Sequence, residues 1–449
     1  MKAIVTEQYQ TACVDTLKKW VAVPSVLDET DSQAPFGSKI QKCLELALAT
    51  CQELGFHTYL DPDGYYGYAE IGSGDELVAV LCHLDVVPAD NPAEWTYPPF
   101  DATLVDNWLY GRGTQDDKGP TVAALYAVKA LMDDPTLEFT KRVRFIFGTD
   151  EETLWRCMQR YNQKEEVATC GFAPDAEFPL TYAEKGLWQF HLVGPGSAAF
   201  TVDTGSALNV VPDKAIYQGE QVEALATYLT KQEYAYQLNG NELIVLGQSI
   251  HAKDAPKGKN AVTRLAAGLA SVFDHPLCRF LAEKVQQDAT GQAIFGQVQD
   301  EASGGLTFNV ANLQITPTSS KVGIDVRIPV TADKARLEQQ LKEALIQYGL
   351  TYQEHDFLAS LYVPLESELV QTLLSIYRQE TGDMTDPFSS GGATFARTMP
   401  NCVAFGAVFE DDPVTFHQID ERISLTSLYR AMEIYAKAVK ALATVEKGE

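Results

Sequence analysis

A chain of 449 residues is too long for one ordinary compact core, so two domains, or one with a large insertion, are expected. Hydrophobic residues at 45% and charged residues at 21% place it among folded globular proteins and exclude a disordered tail. The 35 Lys and Arg against 61 Asp and Glu leave a net charge of -26, which argues against nucleic acid or an anionic membrane as partner, since both call for a basic face.

The first residues, "MKAIVTEQYQ", lack the apolar core of a signal peptide. No run approaches the ~18 apolar residues of a membrane span. Eight cysteines, Cys13, Cys43, Cys51, Cys82, Cys157, Cys170, Cys278 and Cys402, form no Cys-x-x-Cys pair. They read as reduced core thiols, and the protein as cytoplasmic.

In chain order, residues 43–54 have helical periodicity and end at Gly55. Residues 77–84, "LVAVLCHL", form a buried strand that carries His83, with Asp85 two residues on. Gly119-Pro120 opens a helix at about Thr121. A second buried strand follows in "RVRFIFGTDEE". This alternation predicts an α/β domain, a mostly parallel sheet with helices on both faces. From about residue 187 the texture changes to an α+β unit, with helices read in "AIYQGEQVEALATYLTKQ" and "ADKARLEQQLKEALIQYG". "VPLESELVQTLLSIYRQETG" is another helix, and amphipathic "TSLYRAMEIYAKAVKALA" closes the chain. The expected organisation is a sheet domain at 1–186 and 363–449, with an inserted α+β domain at 187–362.

Ligands of open α/β sheets sit at the carboxyl ends of the strands. Here each such end carries chemistry: His83 and Asp85; Asp116 and Asp117 before the Thr121 helix; Asp150, Glu151 and Glu152; Asp175; and His417. Each alone has an ordinary reading. His-x-Asp is commonly a satisfied core histidine, "TDEET" a solvated cap, Asp-Asp-Lys-Gly a turn. Their convergence on one predicted rim outweighs those readings, because together they are the donor set of a divalent metal. Residues i and i+2 of a strand point the same way, so Asp85 can lie behind His83 and orient it as a ligand.

"CHLDVVPA", "EWTYPPF", "YGRGTQDDKGP", "GTDEET", "PDAEFPLTYAEKG" and "SGGATFAR" with "HQIDER" resemble, in this order, the motifs of the aminoacylase/carnosinase-type zinc metallopeptidases. The bacterial dipeptidase peptidase V branch is closest, over nearly the whole chain and most clearly in the sheet domain. The resemblance implies two divalent ions, zinc foremost, with manganese or cobalt also compatible. Asp116 would bridge them, His83 and Asp175 would hold one, and Glu152 and His417 the other. Each ion would then have three protein ligands and room for a water. Glu151 would be the general base, Asp85 the carboxylate behind the ligand, and a cis peptide would join Asp116 to Asp117. In the lid, His251 would stabilise the oxyanion, Arg327 would clamp the substrate carboxylate and Asn209 would hydrogen-bond near the substrate. Gly391 and Gly392 would give backbone contacts from the returning segment. An ordinary surface His, strand Arg and Gly turn are the competing readings of these lid and loop residues.

Three positions depart from the family pattern: Cys82 where glycine is common, Leu154 where a small residue is common, and Asp420 where Asn is frequent. None removes a ligand. A Cys82 nucleophile is discounted, since it lies in an apolar strand. The expected protein is therefore a hydrolase: a metal-dependent dipeptidase acting on small unblocked peptides, monomeric because a large lid in this branch supplies its own oxyanion histidine. The alternatives are an N-acyl-amino-acid deacylase or desuccinylase with the same metal site, and a metal-binding scaffold without catalysis. Glu151 argues against the scaffold. A nucleotide-binding reading fails for want of a Gly-x-Gly-x-x-Gly after a strand.

Overall fold

The computed structural model describes residues 3–447. The chain divides into two compact units, one of Met1–Tyr182, Leu361–Phe388 and Thr394–Glu449, the other of Ala183–Ser360 and Ser389–Ala393. The segment carrying Gly391 and Gly392 thus groups with the second unit, whereas it was expected in the returning part of the first. Among the described residues no helix is long and apolar enough to cross a membrane.

The first unit is built on a mixed sheet. At its centre Arg142–Gly148, Leu77–His83, Cys170–Ala173 and Cys402–Ala404 run parallel in that order. His57–Leu60 and Tyr66–Ile71 flank one side as an antiparallel pair, and Thr181–Glu184 runs antiparallel to Cys402–Ala404 on the other. Every residue of Leu77–His83 is buried, as both-face coverage requires.

Successive residues show how the two faces are covered. Phe147 packs edge-on against Trp20 of the helix Glu7–Val21, ring centroids 6.1 Å apart. The next residue, Gly148, faces the other way, where a Cβ would come within 2.2 Å of the Phe395 ring. In register, Cys82 pairs with Phe147 and His83 with Gly148. The helices Lys118–Met132 and Leu425–Ala443 lie on the Phe147 side, with Phe172 stacked on Tyr435. Arg156–Lys164 lies on the His83 side, where Tyr161 meets Tyr66. The period of two therefore sends Cys82 into the helical layer and His83 to the opposite face.

Lys118–Met132 is buried almost all round, as an element between sheet and outer helices must be. It begins three residues before the expected Thr121. Its second residue, Gly119, touches the preceding loop so closely that a Cβ would lie 1.9 Å from the Thr114 carbonyl oxygen.

The second unit has an antiparallel five-stranded sheet in the order Val202–Asp203, Thr307–Ile315, Ser319–Ile328, Gly186–Pro195 and Thr351–Leu358. Trp188, Phe190 and Leu192 alternate into a core shared with Leu225, Leu265 and Leu341 of three helices, Val222–Lys231, Ala261–Val272 and Lys334–Ile346. One expectation needs correction. "AIYQGEQVEALATYLTKQ" is not one helix: Lys214–Gln218 is a strand, and the helix begins at Val222. Ala215 and Tyr217 are buried between exposed Lys214, Ile216 and Gln218, which is period two, and Gln221 at φ 63° breaks the chain before the helix.

The tight contact at Gly119 gives a test of this layering. Gly119→Ala must push the 111–117 loop away from the helix, and a loss of roughly 1–3 kcal/mol is expected in urea unfolding. An unchanged midpoint would show that the contact is not tight.

Candidate active site

His83 ends its strand with the Nδ1 atom 2.9 Å from the carbonyl oxygen of Asp85. A carbonyl only accepts, so Nδ1 carries a proton; burial works against a charged ring, yet Asp116 and Asp85 hold it well above its usual range, so in the bare protein Nε2 donates to the carboxylates and is the nitrogen left to a cation that displaces its proton. Nε2 lies 2.8 Å from Asp116 Oδ1 and 3.7 Å from Asp175 Oδ2. The other oxygen, Asp116 Oδ2, lies 3.0 Å from His417 Nε2, which is 3.1 Å from Glu152 Oε2. Asp116 therefore stands between the two imidazoles. His83, Asp116 and Glu152 offer donor atoms all within 4.8 Å of one another, and so do His83, Glu151 and Asp175. The structure brings together all six residues expected around the ions, and the Asp116–Asp117 peptide is cis.

Asp85 is placed differently from the simplest expectation. Its carbonyl, not its carboxylate, is the close partner of His83, and the carboxylate Oδ1 stands 3.7 Å from Nδ1. Oδ2 instead accepts from the Glu152 N–H at 3.0 Å. Asp85 thus ties the end of one strand to the acidic turn that follows the next. That turn is held from behind as well. Asp150 accepts from the backbone and guanidinium of Arg156, and Trp155 Nε1 donates to the Glu151 carbonyl at 2.6 Å. Asp150, grouped with the acidic cluster in the sequence, serves this turn.

The electrostatics indicate what the cluster lacks. Burial and the charges of Glu152, Asp116 and Asp85 push the Glu151 carboxyl well above its usual range. Burial and Asp116 raise Glu152 and Asp175 too. Asp116 alone goes down: burial opposes its charge, but hydrogen bonds from His417 and His83 prevail. Burial also works against a protonated His417, yet its bonds to Asp116 and Glu152 raise it to about 10. Four carboxylates meet two imidazoles, and three of the four remain pushed toward the neutral form. The imidazole and carboxylate donors, short of positive charge, fit divalent cations.

Further residues that the sequence reading did not single out hold the cluster in place. Glu421 is wholly buried. Its Oε1 accepts from the backbone N–H of Gly113 at 3.0 Å, Gln115 at 2.9 Å and Asp116 at 3.2 Å, and its Oε2 from Arg112 at 2.7 Å. Gln115 Oε1 accepts from the N–H of Thr415 at 2.7 Å and of Phe416 at 2.9 Å. Lys118, fully buried, donates to the Trp20 and Val23 carbonyls. Gln115 and Lys118 lie within "YGRGTQDDKGP" and Glu421 within "HQIDER", so the signal was position inside a motif, with no local pattern to assign a partner.

In the second unit, His251 Nδ1 accepts from the Lys253 N–H at 3.1 Å, which leaves the proton on Nε2. Burial, then Arg327 and Lys253, lower His251 to about 4, so it is neutral at pH 7. The Asn209 carbonyl accepts from Ala252 N at 2.8 Å, beside His251. Arg327 is buried and paired with Asp325 through Nε at 2.7 Å and Nη2 at 3.0 Å, while Nη1 donates to the Gly391 carbonyl at 2.9 Å. These bonds fix the guanidinium in place. Gly391 approaches Lys253 so closely that a Cβ would lie 2.7 Å from the Lys253 Cβ. His251, Arg327 and Gly391 therefore share one neighbourhood.

The departures have visible places. Cys82 is fully buried, and burial drives its thiol well above its usual range, so it is no nucleophile. Asp420 accepts from Thr96 N and Oγ1, both at 2.7 Å. Leu154 is 42% exposed.

Comparison with known proteins adds to this geometry. "Putative dipeptidase YtjP" of Bacillus subtilis is 35% identical over 95% of this chain and 96% of its own. Human carnosine dipeptidase 1 superposes with a TM-score of 0.60 at 18% identity, over 96% of each chain. A Bacillus subtilis protein described as a dinuclear metal binding peptidase from the M20 family superposes at 0.55 and 11% identity, over 97% of this chain and 99% of the other. The model of the peptidase family M20/M25/M40 matches residues 79–441, a span that holds His83, Asp116, Glu151, Glu152, Asp175 and His417. The chain belongs to this family, and is a hydrolase of the metallopeptidase kind.

Proposed function

We propose that the chain is a dipeptidase that hydrolyses unblocked dipeptides with two divalent ions. The observation that carries this is Glu151: a half-buried carboxylate beside His83 and Asp175, next in sequence to Glu152, and pushed toward protonation by desolvation and by the carboxylates around it. A carboxylate so placed can take a proton and give it back. The names of the relatives support a dipeptide substrate.

His83 and Asp175 would hold one ion, Glu152 and His417 the other, and Asp116 both. Zinc suits this mixture of imidazole and carboxylate; manganese and cobalt are the alternatives. When bound, the ions would supply Lewis-acid polarisation of the carbonyl and acidify the attacking water. Glu151 takes the proton of that water as it adds to the carbonyl carbon. Glu151 then delivers the proton to the departing amine nitrogen as the C–N bond breaks. His251, neutral with its proton on Nε2, is assigned the donor to the developing oxyanion. Arg327 still has unused N–H directions on Nη1 and Nη2 for a substrate carboxylate. Asn209 and the Gly391–Gly392 backbone are assigned polar contacts to the substrate. Eight free, buried cysteines support a reducing compartment and a cytosolic enzyme. A monomer is the proposed state.

Three outcomes test this. Glu151→Gln should retain both ions by metal analysis while kcat falls about 10²–10⁴-fold; near wild-type turnover would remove Glu151 from the mechanism. His251→Ala should lower kcat about 10²–10³-fold without altering metal content, and an effect confined to KM would contradict an oxyanion role. After dialysis against chelator and zinc add-back, amine release is expected from a free dipeptide and not from its N-acetylated twin. Cleavage of the acetylated compound alone would make the protein a deacylase with the same metals and base.

A further inference from the structure

Asp116 and His417 are far apart in sequence, and neither is on a strand of the central sheet. Asp116 lies in the loop that opens the helix Lys118–Met132, and His417 in a turn at φ 62° with half of its side chain exposed. Something must hold a carboxylate and an imidazole of two separate loops at 3.0 Å.

The two loops hold each other. One oxygen of Glu421 gathers the N–H groups of Gly113, Gln115 and Asp116, the concave nest of amides that binds anions elsewhere, filled here by a side chain of the chain itself. Its other oxygen pairs with Arg112, whose guanidinium also donates to the Pro88 carbonyl and lies over the Trp95 ring. Glu421 stands four residues after His417, and its own carbonyl accepts from Gly111 N at 2.9 Å. Gln115 completes the exchange by binding the amides of Thr415 and Phe416 and donating to the Pro413 carbonyl. His83 has further support at its strand end: Leu84 N donates to the Gly148 carbonyl, Ser25 Oγ to the Leu84 carbonyl, and the His83 N–H donates to the Asp117 carboxylate at 3.3 Å.

We propose that Glu421 is a positioning residue that sets occupancy of the second ion, by holding the Asp116 loop against the turn that carries His417. This rests on the two-ion reading above. Asp116 would serve both ions, but only the position shared with Glu152 and His417 depends on the clamp for two of its ligands. Loss of Glu421 therefore acts unequally. The ion at His83 and Asp175 stays, and the other is weakened by about 10–100-fold, the usual effect of removing a partner behind a ligand.

The experiment is calorimetric titration of zinc into the metal-free full-length chain, wild type against Glu421→Gln and Glu421→Ala, with thermal melting alongside. Wild type should take up two ions. The Ala variant should take up one with near wild-type affinity and the second about 10–100-fold more weakly. The Gln variant keeps an acceptor for the three amides but loses the charge facing Arg112, so its second ion should fall between the two. A role in folding alone would lower the melting temperature and leave the two affinities unchanged, or weaken them equally; either pattern in a folded variant overturns the clamp. If the Ala variant does not fold, the Gln variant decides by the same criterion. A wild-type chain that takes up no pair of ions overturns the two-ion reading and the clamp with it, whereas two ions bound alike in wild type and variants overturn the clamp alone.

Discussion

The arrangement of the first unit turns on one electrostatic constraint: four carboxylates, mostly withdrawn from water, are held together with only two imidazoles among them. Glu151, Glu152 and Asp175 are each driven toward the neutral form by burial and by the charge of Asp116. A cluster of this kind spreads apart unless each member is fixed from behind. That is what the surrounding bonds do: the Asp85 carboxylate on the Glu152 amide, Arg156 on Asp150, Glu421 on the Asp116 loop. The repulsion that makes the cluster costly in the bare protein is what gives it affinity for divalent cations.

The sheet makes such fixing affordable. A strand end delivers a side chain in a direction set by the pleat, so one register decides which residues face the site. His83 beside Gly148 faces Phe395, and Cys82 beside Phe147 faces the helices. A slip of one residue would exchange an imidazole for a thiol at the rim. The bare backbone at Gly148 gives the Phe395 ring its place on the His83 side.

How much of this was legible follows from the range of each interaction. His83 and Asp85 could be read because their relation is local, two residues along a strand. Even there the sequence could not tell carbonyl from carboxylate, and the carbonyl proved the closer partner of Nδ1. Glu421 and Gln115 could not be read, since their partners lie about 300 residues away and are mostly backbone amides, which carry no residue identity. The pairing of Arg327 with Asp325 went unread although the two stand two positions apart on a strand, where period two puts both on one side. Residues 215–232 were read as a single helix because a five-residue strand beside a true helix offers too few alternations to stand out.

Two of the histidines with proposed chemical roles, His83 and His251, show how backbone partners set function. At His83 the Nδ1 atom meets a carbonyl, an acceptor, so that nitrogen keeps its proton and Nε2 is the one that a metal can take in place of its proton. At His251 the Nδ1 atom meets the Lys253 amide, a donor, so the lone pair is spent there and Nε2 keeps the proton. The same side chain is thus prepared as a ligand in one loop and as a hydrogen-bond donor in the other. Burial beside Arg327 and Lys253 then keeps His251 neutral, so the Lys253 amide can hold the ring in the donor form throughout the physiological range. Neither tautomer is written in the residue itself: each is set by the main chain two positions further on, which is why the backbone of these loops matters as much as the side chains they carry.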